Sequence, residues 1–404
     1  MKSFSLKALN LVESAGIGAT ATFMPLFANA LTNSYVLVGA IVAGYGLAQA
    51  LSYAYFARIY DGRGSRARLV LIRLGYLLCA AAFFMHLLAF DGLSLFAIRI
   101  FAGVATGVYA GALIAKAYEA SAKKLALAGI ISFGSLGWFV GTIGAGALKE
   151  AFAGDARVVF ALSGAMFFAG FAVSLRLRHS PADDAETNKE DEMEGKTGGG
   201  SVRTTLELLR HNRTVYSSFF LRQFGASAVW SMFPIFLAKE LGASDFWIGA
   251  IYAANAMTQF VFMNRFGRFT HSNYYRSIQL GAALSAAVFG LYFVAQEYWQ
   301  AFPIQVVLGV SWSTLYIGSL LLLLDRNREK ATSSALLEST ISVGAIAGPL
   351  AGGIIAELFG IRSVLLFAFA VTAGSFAMSR TLKRQAVSSS ANVSRSGRDL
   401  EKSF

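Results

Sequence analysis

A single cysteine, Cys79, excludes an intrachain disulfide. The four histidines stand far apart, with no Cys or carboxylate at ligand spacing, so no metal and no cofactor are expected. No Gly-x-x-x-x-Gly-Lys-Ser/Thr run is present to cradle a nucleotide's phosphates. No Ser/His/Asp grouping falls on one membrane face, and the chain reads as a non-enzyme. Acids are outnumbered, 23 Asp and Glu against 35 Lys and Arg, for a net charge of +12. Nucleic acid is not the expected partner, because the positive residues are strung along many short links instead of gathered on one surface. The N-terminus also lacks a cleavable leader pattern: its apolar stretch runs past Pro25 without a small-residue cleavage site, and Glu13 interrupts it.

What the chain has is apolar length. It is 55% hydrophobic and only 14% charged, with a mean hydropathy of +0.55. That is the composition of a polytopic membrane protein, in contact with a lipid bilayer. A spanning helix needs about 20 mostly apolar residues. Such segments fall at 8–29, 35–57, 69–90, 93–116, 125–148 and 157–177, and again at 214–238, 246–266, 276–296, 299–324, 332–356 and 362–380. The expected fold is an all-α membrane protein with twelve transmembrane helices in two pseudo-symmetric six-helix bundles.

Charge orders the links. Arg58, Arg63, Arg66 and Arg68 crowd the link after the second span. Lys123 and Lys124 follow the fourth, Arg265, Arg268 and Arg276 flank the link after the eighth, and Arg326, Arg328 and Lys330 follow the tenth. The alternate links are nearly bare. This positive-inside pattern puts both termini in the cytoplasm, with the plasma membrane as the expected location.

The second half repeats the first. Tyr109 and Gly111 recur as Tyr316 and Gly318, and Gly137, Gly141 and Gly146 recur as Gly344, Gly348 and Gly353, each 207 positions later. Pro25 and Pro234, and Gln49 and Gln259, pair at nearly the same offset. The expected units are a six-helix bundle at 1–178, a cytoplasmic linker at 179–213, a second bundle at 214–380 and a disordered tail at 381–404. The linker is acidic from Asp183 to Glu194 and flexible at Gly198–Gly200, and it cannot bury enough apolar surface to fold alone. Residues 204–210 are expected to form a short helix on the membrane surface. Duplicated membrane helices are the build of many secondary transporters, with a solute site between the copies.

The link after the second span reads Ala57-Arg-Ile-Tyr-Asp61-Gly-Arg-Gly64-Ser-Arg66. Its Asp61, Gly64 and Arg66 resemble the signature loop of the major facilitator superfamily. The equivalent second-half loop keeps Gly267 and Arg276 and has His271 in place of the acid. The family's Arg in the fourth span, followed four residues later by Gly, is matched by Arg99 and Gly103. The run Gly344-x-x-x-Gly348-Pro349-x-x-Gly352-Gly353 resembles the family's glycine-rich antiporter motif, although the family places it in the fifth span and this chain in the eleventh. Small residues four apart let helices approach closely, and proline permits a kink. By this resemblance, Asp61, Gly64, Arg66, Glu119 and Asp325 form a cytoplasmic gate. Gly103, Gly344, Gly348, Pro349, Gly352 and Gly353 act as packing or hinge positions.

Ionisable groups within a membrane default to functional candidates. The family lines its cavity with the first, fourth, seventh and tenth spans, which here carry Glu13, Arg99, Arg222, Gln305 and Trp312. Gln49 and Gln259 add a symmetric pair, completing the candidate solute and ion pathway. Glu13 and Arg222 occupy equivalent places and are expected to pair across the two-fold axis, with Glu13 as the proton-coupling group. Static stapling of two helices is the rival reading of Glu13. His86 reads as an interfacial residue. The first functional expectation is proton-coupled export of a small organic solute by alternating access, with protons as the coupling partner and the protein working as a monomer. Proton-coupled uptake of an organic anion, and a non-transporting sensor or scaffold on the same fold, remain open.

Overall fold

Water does not reach the backbone inside a bilayer, so a long apolar run must close its own hydrogen bonds, and a helix does so within one segment. The computed structural model describes residues 2–62, 65–119, 124–177, 202–266, 274–327 and 330–382, and every regular element among them is helical. The first half holds α1 (Lys2–Thr32), α2 (Tyr35–Gly62), α3 (Ser65–Met85), α4 (Gly92–Glu119), α5 (Lys124–Ala151) and α6 (Arg157–Ser174). A short α7 (Val202–His211) precedes the second set: α8 (Arg213–Lys239), α9 (Asp245–Phe266), α10 (Tyr274–Val294), α11 (Ala301–Arg326), α12 (Lys330–Phe359) and α13 (Ile361–Ser379).

Ten of these helices are long and apolar enough to cross a membrane. The remaining two of spanning length are α5 and α8, of 28 and 27 residues. Arg222, Gln223, Ser227 and Ser231 lower the hydropathy of α8, and all four line the cavity described below. The architecture is therefore that of a twelve-helix membrane protein in two related sets of six.

The two sets repeat one packing scheme. In the first, α1 lies on α5 and α6, α2 on α4, and α3 on α4 and α6. In the second, α8 lies on α12 and α13, α9 on α11, and α10 on α11 and α13. Between the sets, α2 crosses α12 and α5 crosses α9. Apolar burial gives little drive between helices already in lipid, so close approach and dispersion must hold them. The crossings show how. A Cβ on Gly39 would run into the Pro349 carbonyl, and one on Gly249 into the Thr142 carbonyl. Gly353 and Gly146 stand at the same two crossings, 207 positions apart. One repeated stripe of small residues thus makes both of these crossings.

The turns are short. Gly360, at φ 84°, closes α12 by donating its N–H to the Ala356 carbonyl and opens α13. Asn33, at φ 48°, ends α1 in the same left-handed conformation, which Asn tolerates better than most residues. The short helix expected at 204–210 is α7. It is held by Asn212, whose buried side chain donates to Asn327 Oδ1 at 3.0 Å, at the end of α11. His86 is not interfacial: it is fully buried, stacked on Phe160 at 4.7 Å between centroids, with Nδ1 2.8 Å from the Ala82 carbonyl. The acidic stretch 183–194 and the tail past Leu382 lie outside the described residues.

Candidate functional site

A cavity of about 420 Å³ lies between the two sets of helices. Its wall takes residues from α1, α2, α4 and α5 on one side and from their counterparts α8, α9, α11 and α12 on the other. Four of the seven predicted pathway residues line it: Arg99, Arg222, Gln259 and Trp312.

Arg99 is placed by its own helix's glycines. A Cβ on Gly103 would enter the Tyr45 carbonyl, and one on Gly107 would meet Ser52 Cβ at 2.5 Å, so α4 lies close on α2. That approach seats the Arg99 guanidinium 4.0 Å from the centroid of the Tyr45 ring, an attractive cation–π geometry. The Tyr45 hydroxyl is fixed in turn by Thr106 Oγ1 at 3.1 Å. Arg99 is 5% exposed, and its Nε has no hydrogen-bond partner.

Arg222 has a parallel setting in the other half. It is 3% exposed and lies 4.8 Å from the Trp312 ring centroid. Its Nε donates to Ser285 Oγ at 3.0 Å and one terminal N–H to Gln223 Oε1 at 3.3 Å. Ser285 is tied to Ser311 at 2.5 Å, and Ser311 donates to the Gly281 carbonyl. The Gln259 amide donates to Asn255 Oδ1 at 2.6 Å.

The remaining three pathway candidates stand elsewhere. Glu13 is partly buried and accepts the Tyr109 hydroxyl at 2.9 Å, so the expected Glu13–Arg222 pair is not formed. Each bonds a neutral partner within its own half, Tyr109 for Glu13 and Ser285 for Arg222. Gln305 is fully buried behind the wall: its backbone carbonyl accepts from Asn255, while its side-chain amide has no partner. Gln49 is partly buried and outside the cavity lining. Sequence reasoning passed over Tyr45 and Asn255. Both stand four residues before a predicted glutamine, on the same helix face, which was the available signal.

The glycine-rich run of α12 faces two ways. Gly344, Gly348 and Gly352 meet Gln223, Ser227 and Ala228 of α8, whereas Pro349 and Gly353 meet α2. Of the predicted cytoplasmic gate, Arg66 and Asp325 are exposed near helix ends. Gly64 lies outside the described residues, as do the side chains of Asp61 and Glu119.

At the end served by the sparsely charged links, polar contacts tie the halves together. Lys149 Nζ meets Asp245 Oδ1 at 2.6 Å. Glu150 Oε2 accepts the Ser244 hydroxyl at 2.6 Å and the Phe246 N–H at 2.8 Å. Glu357 Oε2 accepts the Tyr35 N–H at 2.6 Å. Glu150 lies beyond its predicted span and is exposed. The Ser244 hydroxyl, and then the Phe246 N–H, hold its carboxyl below the ordinary value of 4.5.

Known proteins fit this geometry. The family model for the Major Facilitator Superfamily matches residues 8–326 and 215–400. Over 155 residues the chain is 31% identical to the multi-drug resistance efflux pump PmrA of Streptococcus pneumoniae, covering 36% of this chain and 38% of that one. The chain thus matches well under half the length of this curated relative. In structure it resembles the nucleoside transporter NupG, with TM-score 0.73, 14% identity, and coverage of 94% of this chain and 98% of that one. It also resembles a bacterial homologue of the human lysosomal transporter Spinster, in an inward-facing, unoccupied conformation, with TM-score 0.68, 14% identity, and coverage of 95% and 97%. Family-model matches spanning both halves, on a duplicated twelve-helix fold with a central cavity, place the chain in the Major Facilitator Superfamily.

Proposed function

We propose that this transporter exports a small organic solute by alternating access, driven by protons. The observation that carries the reading is the cavity itself, walled by both halves at membrane depth and set with Arg99 and Arg222. The end tied by the Lys149–Asp245 pair, Glu150 and Glu357 is taken as the sealed one; under the charge asymmetry of the links it is the outer end, which favours an inward-facing reading. Export is favoured by the similarity, over about a third of the chain, to an efflux pump. Glu13 is the proposed proton carrier, since its described hydrogen-bond partner, Tyr109, is neutral. The halves at 1–178 and 214–380 rock as units about the two small-residue crossings, joined by the 179–213 tether. Asp61, Gly64, Arg66, Glu119 and Asp325 close the cytoplasmic end when the outer end opens. The working unit is a monomer in the plasma membrane, with both termini cytoplasmic.

The test is flux from proteoliposomes under an imposed pH gradient, with solute exchange at equal pH as the comparison. Glu13→Gln should abolish gradient-driven flux and leave exchange intact. Normal gradient-driven flux in that variant would overturn the coupling role, and absence of flux with every solute would favour the scaffold reading.

A further inference from the structure

The charge on the cavity wall is one-sided. Among the described lining residues Arg99 and Arg222 are cationic, and none is acidic. Both guanidiniums are almost fully withdrawn from solvent. Their described partners are neutral: the Tyr45 ring for Arg99, and the Trp312 ring, Ser285 and Gln223 for Arg222. The membrane-embedded carboxylate Glu13 is engaged by Tyr109. Two buried like charges with no counter-charge among the described residues are costly, and the arrangement is relieved when an anion arrives.

The geometry of the two arginines adds a second constraint. Each guanidinium is held over a ring, at 4.0 Å from the Tyr45 centroid for Arg99 and 4.8 Å from the Trp312 centroid for Arg222. Arg222 donates its Nε–H to Ser285 and one terminal N–H to Gln223, which leaves its remaining terminal N–H groups for a ligand. A planar fork of donors held this way matches a carboxylate by paired hydrogen bonds. Fixing the fork in advance lowers the ordering cost of binding. The rest of the wall includes the aromatic residues Trp138, Trp230 and Tyr252.

We infer that the solute class is an aromatic carboxylate, with its acid group read by Arg99 and Arg222 and its ring laid against the cavity's aromatic faces. This rests on the cavity being the solute site. A cation meets two like charges in the same place, and a neutral isostere leaves both unrelieved. The preference therefore runs acid over amide over amidine.

The experiment uses the full-length protein in nanodiscs and three probes on one skeleton: 2-naphthoate, 2-naphthamide and 2-naphthamidine. Binding is read by quenching of tryptophan fluorescence, and flux by release from loaded proteoliposomes. The expected result is binding of naphthoate at least tenfold tighter than of the amide, with the amidine weakest. Arg99→Gln and Arg222→Gln should each erase most of that preference while the amide's affinity stays within about threefold. Equal or tighter binding of the amide or the amidine by the unaltered protein, which needs no variant to fold, overturns the assignment. So does failure of all three probes to bind, or a preference unchanged in both variants. If naphthoate binds with the expected preference yet no solute is carried, the anion site stands and the transport reading falls. If a neutral or cationic solute is carried while naphthoate does not bind, transport stands and the anion assignment falls.

Discussion

Glu150 and Glu357 stand 207 residues apart, the offset of the internal repeat, and each carboxylate accepts a backbone N–H from the first turn of a helix in the opposite half. The first N–H groups of a helix have no partner within it and carry its positive dipole end, so a carboxylate is a fitting acceptor. One contact ties α5 to α9 and the other ties α12 to α2. Together they form a two-fold latch over the sealed end.

Glu150→Gln and Glu357→Gln should each lower the population of the sealed state, and the double variant should lower it further. Distances between spin labels, one on each half at this end, would show the separation grow. Unchanged distances in the double variant would show that the latch is incidental to closure.

The latch has a pH dependence with a definite sign. The carboxyl of Glu150 titrates lower when bound to Ser244 and Phe246 than its ordinary 4.5. Its contribution to closure is therefore complete above about 4.5 and is lost as pH falls through the lowered value. The contribution of Glu150, read as the difference in sealed fraction between the parent and Glu150→Gln, should be constant from neutral pH down to about 5 and then shrink as pH falls further.

Lys149 and Asp245 meet at 2.6 Å with 10% and 19% of their side chains exposed, between the fully buried and the fully exposed case. Breaking the pair with Lys149→Met or Asp245→Asn should cost roughly 1–3 kcal/mol, between the ranges for surface and buried pairs. Thermal unfolding of both singles and the double would give the coupling directly. A coupling near zero would count against the pair as a closing contact.

The glycines at the crossings should resist the smallest enlargement. Gly249→Ala drives a methyl group toward the Thr142 carbonyl, and Gly39→Ala drives one toward the Pro349 carbonyl. Each should cost about 1–3 kcal/mol of overpacking and bias the protein away from the sealed arrangement. Gly144 has open space where a Cβ would stand, so Gly144→Ala is the matched control and should unfold at the same temperature as the parent or slightly higher.

The spacing of Arg99 and Gly103 makes a separate prediction. Gly103→Ala should push α4 off α2 and unseat Arg99 from Tyr45. Solute affinity should weaken by roughly tenfold or more, as expected when about 1.4 kcal/mol of preorganised contact is lost. Equilibrium binding alongside a melting curve separates this from general destabilisation, and unchanged affinity would dissociate the glycine from the site.

Much of the fold was legible because lipid imposes a simple rule on sequence. Apolar runs of spanning length, separated by links of alternating charge, leave little choice but helices in sequence. The 207-residue offset showed that the halves repeat. Polar groups inside apolar helices need a wet or protein-lined face, which singled out Arg99, Arg222 and Gln259 but equally Glu13, Gln49 and Gln305, and only the first three of these line the cavity, together with Trp312. The partners were not. Glu13 and Arg222 match by position in the repeat, yet Tyr109 and Ser285 reach them first, and no spacing rule orders side chains from different helices.

The sequence by itself determined the helices, their number, their duplication and which of them carry charge, because each of these depends on local composition against the demands of a bilayer. Only the tertiary structure decided which charges face one cavity, that Gln305 is buried outside its lining, and that Glu150 and Glu357 fasten the two halves. Those outcomes depend on helix rotation and crossing, which are set by small-residue contacts between segments hundreds of residues apart.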